Sequence, residues 1–225
     1  MRPAMSPDGA SVLYLTPFLT DSGPHQPVRI MRVALSGGPP RSLGEIQNNF
    51  GLIRCARAAN VCVVSDSGTK ERVMYTLDPA KGKGPELLRT GPALIPGEDG
   101  GWDLSPDGST LAFFKADAHK EDFQIQVRPL AGGAGRELDI GGWSYVGALN
   151  VAGYYIRWAA DGRGWYVTTR TYAGAWTLLK VDLTGGTQLV MHGDSGVDAM
   201  QSPDGRHVAM MGWVPASNVW MLENF

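Results

Sequence analysis

A short turn between two apolar segments recurs along the chain and constrains the fold more than any other feature. Its clearest copy is Ser105-Pro106-Asp107-Gly108, followed by the apolar segment Leu111-Ala112-Phe113-Phe114. In such a turn proline presets φ, aspartate accepts backbone N–H groups, and glycine adopts the left-handed conformation. Because both flanks are apolar and β-prone, each copy predicts a hairpin. Other copies begin at Ser6 and Ser202, and a partial copy is Ala159-Ala160-Asp161-Gly162.

The spacing of the turn aspartates gives the repeat length. Asp107, Asp161 and Asp204 follow one another at intervals of about 40 to 55 residues, which is the range of propeller repeats. The gap between Asp8 and Asp107 is about twice as long. The missing copy lies at Cys55–Cys62, an apolar–turn–apolar segment without Pro-Asp-Gly. A repeat of this length that holds several strands is typical of a β-propeller.

A second pattern follows each hairpin. Apolar and polar residues alternate along a segment that ends in a turn, and a further apolar segment follows. In most copies this turn contains glycine. This pattern predicts a third and a fourth strand per repeat. The third-strand segments are 30–38, 73–78, 125–133, 178–186 and 218–222, and the fourth strands hold Leu43, Leu87, Leu88, Leu138, Leu189 and Val190. The sequence therefore predicts an all-β propeller of four-stranded antiparallel blades, without a helix longer than two turns.

We expect about five blades, with boundaries near 1–45, 46–91, 92–140, 141–193 and 194–225. The fourth is expected to open with a long inter-blade segment at 142–152. The first and last blades are expected to be incomplete, because the pattern starts at an inner hairpin and stops after a third strand. Propellers usually close by pairing one chain end with the other. We therefore expect the C-terminal part of a longer protein; a short propeller with imperfect closure is the alternative.

Composition narrows the classes of function. The chain has 225 residues and a formal net charge of −2, so it lacks the concentrated basic face that nucleic acid requires. No apolar run approaches the roughly 18 residues that a membrane span needs. Residues 1–5 run directly into the first repeat, so no signal peptide is predicted in this chain.

The two cysteines flank the turn of the second hairpin. A two-residue loop at Ala58-Ala59 would place Cys55 and Cys62 directly opposite each other, and a non-hydrogen-bonded pair brings Cα atoms to about 4.5 Å, within disulfide range. A wider turn, as expected for the neighbouring repeats, would offset them and leave two small buried side chains. A disulfide would indicate an oxidising compartment, such as the periplasm.

No catalytic or metal-binding constellation is evident. Gly193-Asp194-Ser195-Gly196 matches the tetrapeptide around the nucleophile of trypsin-like proteases, but no segment supplies the histidine and buried aspartate of a triad. One carboxylate per turn cannot supply the six or more oxygens that calcium takes. The four histidines lie on different blades. The sequence predicts a protein that is not an enzyme and has no metal or cofactor.

The predicted binding surface is the mouth of the central channel at which the loops that lead into the inner strands gather. These loops hold carboxylates, amides and aromatic rings, as recognition sites do. The candidates are Asn48, Asn49, Glu98, Asp99, Trp102, Trp143, Tyr145, Asp194 and Asp198. Because acidic residues predominate, we expect a cationic or amide-rich partner anchored on the two tryptophans: a protein, a peptide or a small polar ligand. In the alternative, both tryptophans pack between blades.

The Ser-Pro-Asp-Gly turn and the Gly-Gly turns after the third strands resemble the WD-like repeat of the TolB family. The copies at Ser6, Ser105 and Ser202 are close to the pattern, that at Ala160 is partial, and that at Cys55 departs from it. The resemblance implies a TolB-like propeller. Such propellers occur in periplasmic TolB, which binds partner proteins, at the C-terminus of bacterial serine/threonine kinases and winged-helix regulators, and as the gating propeller of prolyl-oligopeptidase-type peptidases.

The cysteine hairpin, the segment 77–84 and the segment 217–225 look most like the kinase- or regulator-linked group. This likeness implies the sensor or interaction region of a bacterial signalling protein. The alternative is the substrate-gating propeller of a serine peptidase that lacks its hydrolase domain.

Overall fold

The computed structural model of the chain describes residues 3–16, 27–47, 51–67, 71–91, 101–117, 122–144, 156–170, 176–193 and 197–212. All of the regular structure in these ranges is β-strand, joined by turns and bends. The predicted all-β fold is therefore confirmed for the part of the chain that the structure describes.

The strands form four antiparallel sheets of four strands and one of two, each in chain order. Blade one holds β1 (Ala4–Met5), β2 (Ser11–Leu15), β3 (Val28–Ala34) and β4 (Arg41–Ile46). Blade two holds β5 (Ile53–Cys55), β6 (Cys62–Ser67), β7 (Arg72–Asp78) and β8 (Gly82–Thr90). Blade three holds β9 (Trp102–Leu104), β10 (Thr110–Asp117), β11 (Asp122–Pro129) and β12 (Arg136–Ser144). Blade four holds β13 (Ile156–Trp158), β14 (Gly164–Arg170), β15 (Trp176–Asp182) and β16 (Thr187–Gly193), and the partial fifth blade holds β17 (Val197–Gln201) and β18 (Val208–Gly212).

The core lies between consecutive blades. One cluster of buried side chains joins blades one and two, and further clusters join two to three, three to four and four to five. Strand alternation explains this arrangement, because neighbouring residues of a strand point to opposite faces of its sheet. On β6, Val64 packs in the first cluster and Val63 in the second. All six residues of β6 are buried, as expected for a strand that is covered on both faces.

Every described inner hairpin closes in the same register. The N–H of the residue before the four-residue loop donates to the carbonyl five residues on, as from Ala56 to Val61 and from Ser105 to Thr110. The expectation that the neighbouring repeats use a wider turn than the cysteine hairpin is therefore wrong. The residues outside this bond are directly opposed in each hairpin: Met5 and Val12, Cys55 and Cys62, Leu104 and Leu111, and Trp158 and Trp165.

The boundary between blades three and four differs from the expected one. The segment 142–152 was expected to connect the two blades, yet β12 continues to Ser144, which pairs with Asp122. A register shift between Asp122 and Gln124 lets this pairing continue. From sequence, Gly141-Gly142 indicates a turn. Glycines inside a strand, however, often mark a bulge or another irregularity of the strand pairing. The rest of this segment and the expected third strand of blade five lie outside the described residues.

Candidate functional site

The structure describes few of the predicted binding residues. Asn48, Asn49, Glu98, Asp99, Tyr145 and Asp194 lie outside the described residues. Asp198 lies on β17, the inner strand of the partial fifth blade, so its expected position on the loop that leads into this strand is wrong. Trp143 lies on β12, the outer strand of blade three, so its expected position on a loop at the channel mouth is wrong. The binding roles of these residues stay predictions.

Trp102 belongs to the core between blades two and three. Its side chain is fully buried, and its indole N–H donates to the hydroxyl of Ser65 at 3.3 Å. The Arg54 guanidinium lies 5.8 Å from the ring centroid. Alternation along β9 places Trp102 and Leu104 in the same cluster. This is the packing alternative of the sequence analysis, and it leaves no Trp102 surface for a partner in this conformation.

Arg54 and Asp103 link the inner strands of blades two, three and four. The sequence analysis did not predict this link. Arg54 on β5 and Asp103 on β9 form an ion pair at 3.1 Å, and the other carboxylate oxygen of Asp103 accepts the backbone N–H of Trp158 at 2.8 Å. Asp103 therefore joins blade three to both of its neighbours. The signal is in the sequence, because Arg54, Asp103 and Arg157 occupy the same place in successive repeats.

The Ser-Pro-Asp-Gly turn is a closed hydrogen-bond network. In blade three, the Ser105 hydroxyl donates to Asp107 and accepts the backbone N–H groups of Ser109 and Thr110. Asp107 also accepts the N–H of Ser109 at 3.0 Å. The Ser105 hydroxyl and then the Ser109 N–H hold the pKa of Asp107 below its ordinary value. Gly108 has a φ of +74°, a conformation that favours glycine.

The same network recurs in blades one and five. The Ser6 hydroxyl donates to Asp8, and the Ser202 hydroxyl donates to Asp204. In each turn the hydroxyl, followed by a backbone N–H, lowers the pKa of the aspartate. These carboxylates stabilise turns, as the sequence analysis predicted.

The turn of blade four departs from this pattern. Ala159 stands where the turns of blades one, three and five have serine, so Asp161 has no hydroxyl partner among the described residues, and its Oδ1 accepts only the N–H of Arg163, at 2.9 Å. Ala160 stands at the proline position, and its N–H donates to the side-chain oxygen of Gln201 in blade five, at 2.7 Å. Proline could not make that bond, because it lacks an N–H.

The turns of blades two to five contact one another and form one surface, which we call the turn face (residues 56–60, 105–109, 159–163 and 202–206). The N–H of Ala58 donates to the carbonyl of Pro106 at 2.8 Å. The guanidinium of Arg57 donates to the carbonyls of Gln201 and Ser202 at 3.0 and 3.4 Å. Sequence reasoning found these turns separately and missed their contacts.

A cavity of about 570 Å³ opens on the turn face between blades three and four. It lies at the turn end of the inner strands, opposite the end to which the predicted binding loops lead. Its lining includes Asp107, Pro129, Arg136, Trp158, Asp161 and Leu183. Trp158 is 8% exposed, and its buried indole N–H has no hydrogen-bond partner among the described residues. The lining thus combines apolar surface with a few polar groups, as ligand sites do.

Among the described residues, no cluster of three or more His, Cys, Asp or Glu residues could hold a metal ion. No helix in these ranges is long and apolar enough to cross a membrane.

Comparison with known proteins gives a likeness of fold alone. No family model matches the chain, and no curated protein matches it. Among solved structures, TolB from Acinetobacter baumannii superimposes with a TM-score of 0.68 at 16% identity, over 93% of this chain and 49% of that one. This chain therefore spans about half the length of that TolB.

Two peptidase structures are also similar. The β-propeller domain of the Trilobed protease from Pyrococcus furiosus has a TM-score of 0.56 and 13% identity, over 98% of this chain and 65% of that one. Dipeptidyl peptidase 4 from Porphyromonas gingivalis has a TM-score of 0.53 and 13% identity, over 92% of this chain and 33% of that one. The fold of this chain is a TolB-like β-propeller, and the propellers of these peptidases have a similar fold.

Proposed function

We propose that this chain is a non-enzymatic propeller module that binds a protein, a peptide or a small polar ligand. The observation that carries this proposal is the cavity of about 570 Å³ between blades three and four. Its volume lies within the range of about 300 to 1,000 Å³ typical of ligand sites.

The walls of the cavity suit a binding role. They are built largely from turns, which can vary in sequence while the blades hold them in place. The turn of blade three is fixed by its Ser105–Asp107 network, and it contacts the turn of blade two through the bond from Ala58 to Pro106. A preorganised wall lowers the entropic cost of binding.

The wider setting that we propose is the sensor or interaction region of a bacterial signalling protein outside the cytoplasm. Two observations support it: the resemblance to kinase- and regulator-linked propellers, and the Cys55–Cys62 disulfide, whose Cα atoms lie 4.0 Å apart. Disulfides persist in oxidising compartments such as the periplasm. A kinase or DNA-binding reading frame fused upstream of this segment in the genome is the expected finding.

A second candidate is the substrate-gating propeller of a serine peptidase. The likeness to the Trilobed protease and to dipeptidyl peptidase 4 favours it. A hydrolase reading frame joined to this segment would support this candidate and contradict the signalling setting.

Selection from a random peptide library displayed on phage, against the immobilised oxidised chain, tests the binding role. Ala134 is exposed and lines the cavity, whereas Ala131 is exposed on the same connection and lies outside the lining. We expect Ala134→Trp to weaken selected peptides by about tenfold or more, since an interface anchor contributes about 1–2 kcal/mol or more. Ala131→Trp should leave their affinity unchanged. Peptides that bind Ala134→Trp as well as the wild type, or a selection without any binder, would contradict the proposal.

A further inference from the structure

The outer strands of the four-stranded blades differ in the charge that they carry. β4 holds two charged residues, and β8 and β12 hold three each. β16 has the sequence Thr-Gln-Leu-Val-Met-His-Gly (Thr187–Gly193), which contains no Asp, Glu, Lys or Arg. Charged residues on an exposed strand edge are one of the means by which proteins prevent pairing with another chain. β16 lacks this protection.

β16 also exposes a run of apolar side chains. Leu189, Val190 and Met191 are 51, 45 and 36% exposed. The pairing of β16 with β15 shifts register here and skips Val190, and no described strand pairs with the other edge of β16. Elsewhere in the ranges that the structure describes, exposed large apolar side chains occur one at a time, at Met5, Leu35 and Met200.

The register of the outer strands shows that the leucine is specific to blade four. At the equivalent position of each blade, the third strand holds Met31, Tyr75, Gln126 or Leu179, and their partners on the outer strands are Ser42, Glu86, Glu137 and Leu189. All four partners are exposed. The other blades thus place a polar residue where blade four leaves about half of a leucine side chain in solvent. Exposed apolar surface of this kind marks sites of protein association.

The order of residues along β16 suits pairing with a second copy of the same strand. An antiparallel pair with a two-fold axis at Val190 sets Leu189 opposite Met191 of the second copy, and Gln188 opposite His192. Apolar side chains then meet apolar ones, and polar side chains meet polar ones. Either neighbouring antiparallel register would instead set Met191 against Gln188 or Leu189 against His192. With no Asp, Glu, Lys or Arg on the strand, the two copies meet without the repulsion that opposed like charges cause.

We propose that β16 is a homodimerisation edge, which pairs antiparallel with β16 of a second copy across a two-fold axis at Val190. The pairing joins two four-stranded sheets into one continuous sheet and makes the same surface serve both copies. β16 contributes no residue to the cavity between blades three and four, so this inference is independent of the proposed binding role. A contact between two seven-residue strands is small beside a standard interface of about 1,600 Å², so we expect a weak dimer.

Sedimentation velocity of the oxidised chain tests the dimer, over protein concentrations from about 1 μM to 1 mM, the range of weak affinities. We expect the sedimentation coefficient to rise from that of a monomer to that of a dimer. Val190→Lys should weaken the dimer by about tenfold or more, because two like charges would then be opposed on the two-fold axis. Leu35→Lys is the matched control, since Leu35 is 60% exposed on the turn after β3. It should associate as the wild type does.

A cross-link tests the register of the pairing. Directly opposed residues of an antiparallel pair have Cα atoms about 4.5–5.5 Å apart, which a disulfide can span. Because Cys55 and Cys62 are bridged to each other, the thiol of Val190→Cys is the only free one in that variant. We expect Val190→Cys to form covalent dimers in air faster than Leu35→Cys, as followed on non-reducing gels.

The outcomes separate this inference from the proposed function. A monomer over the whole concentration range, equal weakening by Val190→Lys and Leu35→Lys, or cross-linking of Val190→Cys no faster than that of Leu35→Cys would overturn the inference. A monomer whose free energy of unfolding falls in Val190→Lys would show that another part of the chain covers β16, and would also overturn it. None of these results bears on the peptides selected against the cavity, which Ala134→Trp tests separately.

Discussion

The inner hairpins of blades two and four share one geometry and are secured by different chemistry. In both, the pair of residues just outside the turn is directly opposed. In blade two this pair is Cys55 and Cys62, joined by a disulfide with a Cα separation of 4.0 Å. In blade four it is Trp158 and Trp165, whose ring centroids lie 4.7 Å apart at an angle of 51°.

The two hairpins also differ in their turns. Blade two lacks the Pro-Asp-Gly sequence, whereas blade four keeps Asp161 and Gly162. In blade two, a disulfide stabilises a hairpin whose turn has no aspartate network. In blade four, a packed pair of rings stabilises a hairpin whose turn aspartate has no serine partner. In both hairpins the opposed pair links the two strands just outside the turn, and the turn of blade four makes a contact with blade five through the bond from Ala160 to Gln201.

The largest effect on stability should come from truncation of the aromatic pair of blade four. Trp165 is fully buried in the core between blades three and four. Trp165→Ala should lower the free energy of unfolding by about 3–5 kcal/mol, the usual cost of truncating a buried aromatic side chain. Urea unfolding followed by far-ultraviolet circular dichroism measures the change, with Trp165→Phe as a milder control. A loss below about 1 kcal/mol would show that the ring pair does not secure blade four.

The disulfide should contribute less than the ring pair. It closes a short loop, with a sequence separation of 7, and removing it should cost about 2–3 kcal/mol in the chain-entropy account. Urea unfolding of Cys55→Ala/Cys62→Ala measures this loss, and wild-type protein under reductant should lose a similar amount. Thiol titration of denatured, unreduced wild type should find essentially no free thiol, and two thiols per chain would contradict the bridge.

Single hydroxyl groups in the turns should have a smaller effect. Ser105 is 4% exposed, and its hydroxyl makes three hydrogen bonds within its turn. Ser105→Ala should cost about 1–2 kcal/mol, as the loss of a buried hydrogen-bonding group does. Ala159→Ser would give blade four the missing hydroxyl and should stabilise the protein by a fraction of that amount. Thermal unfolding of both variants measures the contrast, and equal shifts in the same direction would contradict it.

The smallest expected effect is a change in how the free energy of unfolding depends on pH in the acid range. The hydroxyls of Ser6, Ser105 and Ser202 lower the pKa values of Asp8, Asp107 and Asp204. Because these pKa values are lower in the folded state, the stabilisation is present above about pH 4 and is lost as the pH falls through the folded pKa values. Ser105→Ala should therefore lose less stability than the wild type between pH 5 and pH 3 in parallel urea titrations (roughly the window of ordinary aspartate ionisation). An identical pH profile would contradict this.

Much of the fold could be predicted because its signals are local. Pro106, Asp107 and Gly108 specify a turn within four residues, and repetition of the same turn gives the blade period. The pairing of Cys55 with Cys62 follows from the same register. The extension of β12 to Ser144 could not be read from sequence, since two glycines indicate a turn as readily as a strand irregularity.

The candidate site was harder to predict because it depends on contacts between blades. Trp102 looked like an anchor on a loop, and only its packing against blade two shows it to be buried. The cavity is formed by turns that are distant in the chain, and no single repeat indicates it. One local signal was available: Ala159 breaks the serine pattern at the turn that lines the cavity.

The contact of Arg57 with blade five has a consequence for the order of events during synthesis. Its guanidinium binds carbonyls 144 and 145 positions further along the chain, whereas each hairpin pairs residues close in sequence. At a translation rate of about 5–20 residues per second, residue 202 emerges roughly 7 to 30 seconds after residue 57. Blade two can thus form its strands well before this contact exists. We therefore expect the bond between the turns of blades two and five to form late, after the blades themselves have folded.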